Sequence, residues 1–471
     1  ASRGGPCEAV SVERMMGSRR GDAAAAERGG VVREVNMARP NIVFVHVDQM
    51  HHKAMSAYGC EHVRTPSMDR IAREGYSLMN MHTDMPQCCP ARASWFTGRT
   101  SKEHGVVINS YPIDPELPDL GQWLREHGGY ESVYTGKWHV SGRNVANSFT
   151  VLHRGTGHGE LSDSDVARSA VSYLRNRTGD EPFFLSVGFL NPHDCCFPAF
   201  ARGGPAKYAF APKISDRLPP LPANFDYEYS TRGRGATTKW SLQDWRYYIY
   251  SYYRLVEMAD REVGRVYDAV RSSPRAENTL FILAADHGDG LGFHAKVSKG
   301  YLEEEAWRVP GIVSWPGRVP EGRRDAEHLA TGVDIAATIC DYAEVRPLPK
   351  MTIARSWRPL LEGKAVPWRD YVVGETSMGR LSVAIRDARY KSIIYQDETK
   401  LYDMQRDPLE TNNLAGDAAH AEVVARHREH FREYMGQIEV YPTPSWGQKH
   451  WKRGDLYTPY IEWYEKVKAE A

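Results

Sequence analysis

The sequence predicts an α/β protein: a mostly parallel central sheet flanked by helices, followed by a smaller C-terminal subdomain of antiparallel sheet plus helix. Apolar, β-branched runs such as NIVFVHV (41–47) recur without polar alternation, the pattern of strands buried on both faces. Segments with helical apolar spacing separate these runs, and strand–helix alternation implies helices layered on a parallel sheet. Beyond about residue 365 the rhythm changes to short strands with short links, as in antiparallel sheets.

The elements follow in order. Residues 1–36 are rich in Ala, Gly and Arg and contain no apolar h-region. They read as a disordered or non-native extension rather than a secretory signal, so the chain is expected to be cytoplasmic unless a signal was removed. Residues 37–365 hold the α/β unit. Its strands are the 41–47 run, ESVYTG (131–136), FFLSVGF (183–189), TLFILAAD (279–286) and GIVSW (311–315). PSMDRIAREG opens on Pro-Ser and LPDLGQWLREHGG stops on glycines, as helix ends do. The stretch beginning DWRYYIY keeps helical spacing for about eight turns. Residues 366–440 carry YVVGE, LSVAIRD, RYKSIIYQ and TKLYDM as antiparallel strands, then a helix over AAHAEVVARHREHFREYMGQI. Residues 441–471 form an aromatic-rich tail.

The 60 basic and 60 acidic residues balance, so no global charge favours nucleic acid or an anionic membrane as a partner. No apolar run approaches the roughly 20 residues that span a bilayer. Seven cysteines include the vicinal pairs Cys88-Cys89 and Cys195-Cys196. An odd count at irregular spacing is not a disulfide framework, and no CxxC pair suggests zinc.

Ligands of open α/β sheets sit at the carboxyl ends of strands. Here the first strand ends in Asp48-Gln49, and the strand near 283 ends in Asp286-His287. Two carboxylates, an amide oxygen and an imidazole suit a hard cation such as Ca²⁺, with Mg²⁺ or Mn²⁺ as alternatives. The most specific segment is Cys88-Cys89-Pro90-Ala91-Arg92, followed by Thr97-Gly98-Arg99.

That segment resembles the sulfatase signature C-x-P-x-R-x-x-x-[LF]-T-G-R at every fixed position, and the chain resembles that family of the alkaline-phosphatase-like superfamily over about 38–415. The resemblance implies that Cys88 is oxidised to formylglycine, with a formylglycine-generating enzyme as a partner during maturation. The aldehyde hydrate offers two hydroxyls on one carbon: one attacks sulfur and the other later expels sulfate. It also implies that residue 88, as formylglycine, joins Asp48, Gln49, Asp286 and His287 around the cation. TGKWH carries Lys137 and His139, NPHD carries His193, and the loop after Asp286 carries Lys299. Arg92, Lys137 and Lys299 are expected to clamp the sulfuryl group electrostatically, His193 to act as general acid and His139 as base in the second half-reaction. Asn109 matches a position near the active centre and is expected to contact substrate. The Asp-Gln and Asp-His pairs also occur in related phosphonate monoester and phosphodiester hydrolases, which makes that activity the runner-up. A catalytically dead binding protein on the same fold is disfavoured, because the nucleophile, ligand and clamp positions are all filled.

Specificity is expected on the loops 141–165 and 195–240 and on the tail. The middle loop carries Lys207, Lys213, Arg217, Arg232, Arg234 and Lys239, suited to an anionic saccharide. The tail carries Trp446, Trp451, Tyr457, Tyr460, Trp463 and Tyr464, which would stack on sugar faces or cement a homo-oligomer. The favoured substrate is a small sulfated saccharide.

Overall fold

The computed structural model describes residues 39–199, 211–232, 236–441 and 457–469. The extension read over 1–36 lies outside them, as do Lys207, Arg234, Trp446 and Trp451. The described helices include none long and apolar enough to cross a membrane.

The main sheet has eight strands: β1 (Asn41–Asp48), β2 (Tyr76–His82), β3 (Glu131–Gly136), β4 (Thr150–His153), β5 (Phe183–Pro192), β6 (Thr279–Ala285), β7 (Gly311–Ser314) and β8 (Arg323–Thr331). Their order is β4-β3-β5-β1-β6-β7-β2-β8. All eight residues of β1 are buried; the strand lies between β5 and β6, parallel to both, with Val45 opposite Val187 and Leu283. This is the environment that its unbroken apolar run requires. β7 departs from the rest, running antiparallel to both β6 and β2. Three strands escape the sequence reading. β2 mixes polar and apolar residues, β4 has only four residues, and β8 begins with exposed charged side chains at the sheet edge.

The expected helices form at Pro66–Arg73 (α1), Leu120–Gly128 and Leu242–Arg271. The last has 30 residues and starts in a capping box: Ser241 Oγ accepts from Asp244 N–H, and Asp244 accepts from Ser241 N–H. Such reciprocal bonds satisfy two of the orphan donors of a helix start. This helix and Gly159–Asn176 both pack on β5. A further helix, Cys88–Thr97 (α2), is buried at all ten positions. It has no polar face, so it carries no amphipathic signal in the sequence.

The second sheet is an antiparallel meander, β12-β11-β10-β9, built from β9 (Val372–Thr376), β10 (Ser382–Arg386), β11 (Tyr390–Tyr395) and β12 (Thr399–Asp403). The helix Ala421–Gln437 follows, and Tyr457–Ala469 packs on it: the rings of Trp463 and Tyr464 lie 5.7 and 5.2 Å from Phe431. Both residues are buried. Trp463 and Tyr464 therefore belong to the core, which corrects the expectation that they stack on sugars or on a second subunit; the sequence shows aromatic content but not what it covers.

A buried ion group ties the second sheet to the helix Glu304–Trp307 that leads into β7. Lys391 on β11 has no exposed side-chain surface and lies 3.1 Å from Glu304 and 2.7 Å from Glu410. Glu410 also accepts from the Glu304 N–H at 2.8 Å. Removing one partner of such a group leaves an uncompensated buried charge. Lys391→Met should therefore lower unfolding stability by about 3–5 kcal/mol, read by chemical denaturation; a loss below about 1 kcal/mol would mean that Lys391 does not anchor the second sheet there.

Candidate active site

Four adjacent parallel strands deliver side chains to one edge of the sheet. β1 ends in Asp48, β6 is followed by Asp286-His287, β3 by Lys137, and β5 by His193. Because β1 and β6 pair in register, with Val47 opposite Ala285, the two aspartates emerge side by side.

Helix α2 brings the remaining parts. Cys88 is its first residue and Pro90 its third, where a missing N–H costs no intrahelical bond. The N-terminal residue Gln87 makes no side-chain cap. Instead Asn109 Oδ1 accepts from the Cys89 N–H at 3.0 Å, and Gln87 Oε1 accepts from the Asn109 N–H at 3.2 Å. Asn109 thus anchors the start of the helix. One turn along, Arg92 is fully buried. Its Nε donates to Asp286 at 2.9 Å, its Nη2 to Asp48 at 3.0 Å, and its Nη1 to the Lys137 carbonyl at 2.8 Å and to His46 Nδ1 at 3.1 Å. Four of the five guanidinium donors are thereby committed to the protein. Arg92 thereby holds both carboxylates in place, and one donor on Nη2 remains beyond these four bonds.

Cys88 Sγ lies 3.1 Å from His287 Nε2 and 3.7 Å from Asp48 Oδ1. Ligand atoms of Asp48, Cys88, Asp286 and His287 all fall within 4.8 Å of one another, and all four residues are buried. His287 Nδ1 lies 2.8 Å from the Gly288 carbonyl. A carbonyl can only accept, so Nδ1 carries a hydrogen and Nε2 is the nitrogen that faces Asp48 and Asp286. Two carboxylates and an imidazole nitrogen around one point fit a divalent cation. Gln49, at φ 65°, is held by two hydrogen bonds: its Oε1 accepts from Lys299 at 2.6 Å and its Nε2 donates to Asp289 at 2.6 Å.

The charges are mutually adjusted. Burial works against ionisation of Asp48, but Lys137, His193, Arg92 and Lys299 outweigh it and hold its pKa well below the usual carboxylate range. Lys137 is the nearest in contact, 2.6 Å from Asp48. Burial and the neighbouring Asp48 raise the pKa of Asp286. Burial and Asp48 also push the Cys88 thiol up, yet Lys137, Lys299 and His287 bring it well below its ordinary value. Burial, then Lys137 and Lys299, lower His193 to about 3, against the pull of Asp48.

His193 and Lys137 line a cleft of about 750 Å³ that also includes His139, Trp138 and residues 143–145 and 154–157. The loop 141–165 expected to set specificity supplies part of its wall. His193 Nδ1 is buried and, among the described residues, has no hydrogen-bond partner. His139 is exposed on the cleft wall, with φ 51°.

Sequence reasoning missed three supporting residues. His46 accepts from Arg92 through Nδ1, so its Nε2–H is left to donate to Ser186 Oγ at 3.1 Å. The i, i+2 spacing from Asp48, which puts both on one strand face, was the available signal. Asp289 accepts from Gln49, from Tyr248 OH at 2.8 Å and from the Ser298 N–H at 3.0 Å. Gly188 is required by space, since a Cβ there would lie 2.6 Å from both His46 Cε1 and the Lys137 carbonyl.

A nucleophile position flanked by converging carboxylates and lysines, at the carboxyl edge of a mostly parallel sheet, defines an ester hydrolase of the alkaline-phosphatase-like class. Comparison with known proteins narrows this. The sulfatase family profile matches residues 40–345, and that of the N-sulphoglucosamine sulphohydrolase C-terminal region matches 292–437. A Delta 4,5-hexuronate-2-O-sulfatase of Bacteroides thetaiotaomicron is 30% identical, across 84% of this chain and 89% of its own. An N-acetylglucosamine-6-O-sulfatase of the same organism is 25% identical, across 81% and 84%. The solved structure of a 2-O GAG sulfatase superposes with a TM-score of 0.74 at 26% identity, covering 86% of this chain and 95% of that one. The chain belongs to the sulfatase family and is a sulfuric ester hydrolase.

The cap on α2 is open to test. Asn109→Ala removes the acceptor of the Cys89 N–H and should cost about 1 kcal/mol in chemical denaturation, whereas Asn109→Asp keeps an acceptor and should retain most of that stability. Equal loss in both variants would show that this hydrogen bond does not anchor the helix.

Proposed function

We propose that the protein hydrolyses a sulfate ester of a carbohydrate to the alcohol and inorganic sulfate, with Cys88 converted to formylglycine as nucleophile. The carrying observation is the position of residue 88: at a helix N-terminus, between Asp48 and His287, within the field of Lys137 and Lys299. A helix N-terminus favours negative charge, and so do both lysines. The carbohydrate part draws on the hexuronate and N-acetylglucosamine sulfatases that the chain resembles.

Asp48, Asp286 and His287 would hold a divalent cation, Ca²⁺ being favoured by the oxygen-rich donors, with Mg²⁺ and Mn²⁺ as alternatives. Gln49 Oε1 accepts from Lys299 with one lone pair, and its second would serve the cation. When bound, the cation supplies a Lewis acid for a sulfate oxygen and lowers the pKa of the nucleophilic hydroxyl. Arg92 keeps both carboxylates aimed at that position, and Lys137 and Lys299 place positive charge where the sulfuryl oxygens enter.

The oxygen borne by residue 88 attacks sulfur, the bond from sulfur to the bridging oxygen breaks, and His193 delivers a proton to that oxygen. Burial, Lys137 and Lys299 favour the neutral form of His193. An arriving sulfate anion offsets the two lysines that depress it, leaving Asp48 to favour protonation. His139, at the cleft wall, removes a proton when residue 88 later releases sulfate.

Two measurements test this reading. Protein made in a host with a formylglycine-generating enzyme should show aldehyde in place of thiol at Cys88 by mass spectrometry and should desulfate a panel of sulfated mono- and oligosaccharides. Chelation and Cys88→Ala should each abolish that turnover. Full activity with an unmodified Cys88 thiol excludes the mechanism, and a clear preference for phosphonate monoester or phosphodiester controls would favour the runner-up activity.

The histidines are separable by leaving group. General acid catalysis matters most when the departing alcohol is a poor leaving group, and such terms are worth roughly 10²–10⁴-fold. His193→Ala should cripple hydrolysis of a sugar sulfate far more than of nitrophenyl sulfate, while His139→Ala should slow both alike. Parent-like leaving-group dependence in both variants would refute this assignment.

A further inference from the structure

The cleft beside the reacting centre carries a cation that the chemistry above leaves unused. Three Lys or Arg side chains line it: Lys137, Arg143 and Arg154. Lys137 is committed to Asp48 at 2.6 Å. Arg143 is buried and committed to Asp119 at 2.9 Å and to the carbonyls of Asp114 and Pro115. Arg154 is exposed and, among the described residues, has neither an acidic partner nor a hydrogen-bond acceptor.

The sheet fixes where Arg154 stands. β4 pairs in parallel with β3, with His153 opposite Thr135. Arg154 therefore leaves the carboxyl end of the edge strand, one strand over from Lys137. The Gly155 N–H donates to His153 Nδ1 at 3.0 Å, with Gly155 at φ 69°, which closes the turn directly after Arg154. This turn lies against the end of β3: a Cβ on Gly155 would sit 3.6 Å from the main-chain nitrogen of Lys137. Adjacent strands are about 4.8 Å apart, so β4 is about 5 Å from the strand leading to Lys137 and about 10 Å from the one leading to His193. That is the scale of a sugar residue lying along the cleft with its sulfate at the reacting centre. A guanidinium presents a rigid donor fork that matches two oxygens of one anionic group.

We infer that Arg154 is a substrate-binding residue that receives a second anionic group, a carboxylate or a further sulfate, on the saccharide whose sulfate ester is cleaved. This rests on the carbohydrate reading above. It makes the enzyme selective for acidic or multiply sulfated saccharides over neutral ones carrying a single sulfate.

The test compares the parent with Arg154→Gln and Arg154→Lys on four substrates: nitrophenyl sulfate, a monosulfated disaccharide containing a uronic acid, its carboxyl-reduced counterpart, and a disulfated neutral disaccharide. Charge-assisted hydrogen bonds of this kind are worth about 10- to 100-fold in binding. Arg154→Gln should raise KM by that factor on the uronic acid or the disulfated substrate while leaving kcat nearly constant. KM for nitrophenyl sulfate and for the reduced disaccharide should stay within about twofold, and Arg154→Lys should recover part of the loss. A loss confined to the uronic acid identifies a carboxylate, and one confined to the disulfated substrate identifies a sulfate. Unchanged KM on both doubly anionic substrates, or an equal rise on nitrophenyl sulfate, overturns the role of Arg154 alone. A parent that cleaves nitrophenyl sulfate but no saccharide overturns the carbohydrate reading, and this role with it.

Discussion

The guanidinium of Arg92 is the constraint on which the site depends. Asp48 and Asp286 leave neighbouring strands in register and have no solvent exposure. Two such carboxylates repel each other and resist ionising together. Arg92 bonds both, at 3.0 and 2.9 Å, and it stands one helical turn from Cys88. A single side chain thus couples the positions of the prospective ligands to that of the nucleophile. The field is split unequally, with Asp48 driven well down by its surrounding cations and Asp286 raised by burial and by Asp48. A divalent cation at this point would remove the conflict between them.

Around that centre a ring of hydrogen bonds sets direction. Gln49 is turned by its left-handed backbone toward Lys299, and Asp289 holds its amide from the other side. Tyr252 donates to the Gln49 carbonyl at 2.7 Å and accepts from the His51 N–H at 2.7 Å. These bonds fix the strand end after Asp48 from the long helix Leu242–Arg271. Tyr248 of the same helix donates to Asp289, so two hydroxyls of one helix brace the segments that follow β1 and β6.

Much of this was legible in the sequence, for reasons that differ by element. β1, β3, β5 and β6 are buried on both faces, so their apolar runs are unambiguous. The order of strands and the antiparallel direction of β7 were not legible, because periodicity encodes burial and not pairing. β8 was missed because an edge strand can begin with exposed Arg323 and Arg324. α2 was missed as a helix because every one of its faces is buried, although its motif gave Cys88 and Arg92 directly. Residue chemistry located Asp48, Asp286 and His287. It could not tell that Arg92 serves the carboxylates, that Gln49 points at Lys299, or that Trp463 and Tyr464 are core, since each of these is decided by orientation.

The burial of residue 88 has a consequence in time. Cys88 is fully enclosed, and its wall includes His287, 199 residues further along the chain. The pocket cannot close until β6 has been made and has joined β1. At about 5–20 residues per second of synthesis, this leaves roughly 10–40 s in which the thiol stands on an unfinished surface. Any other protein that must reach Cys88 works within that interval, in competition with closure. A slower-translated or slower-folding chain would lengthen the interval, and the fraction of molecules altered at residue 88 would then be set by kinetics during birth rather than by equilibrium in the finished protein.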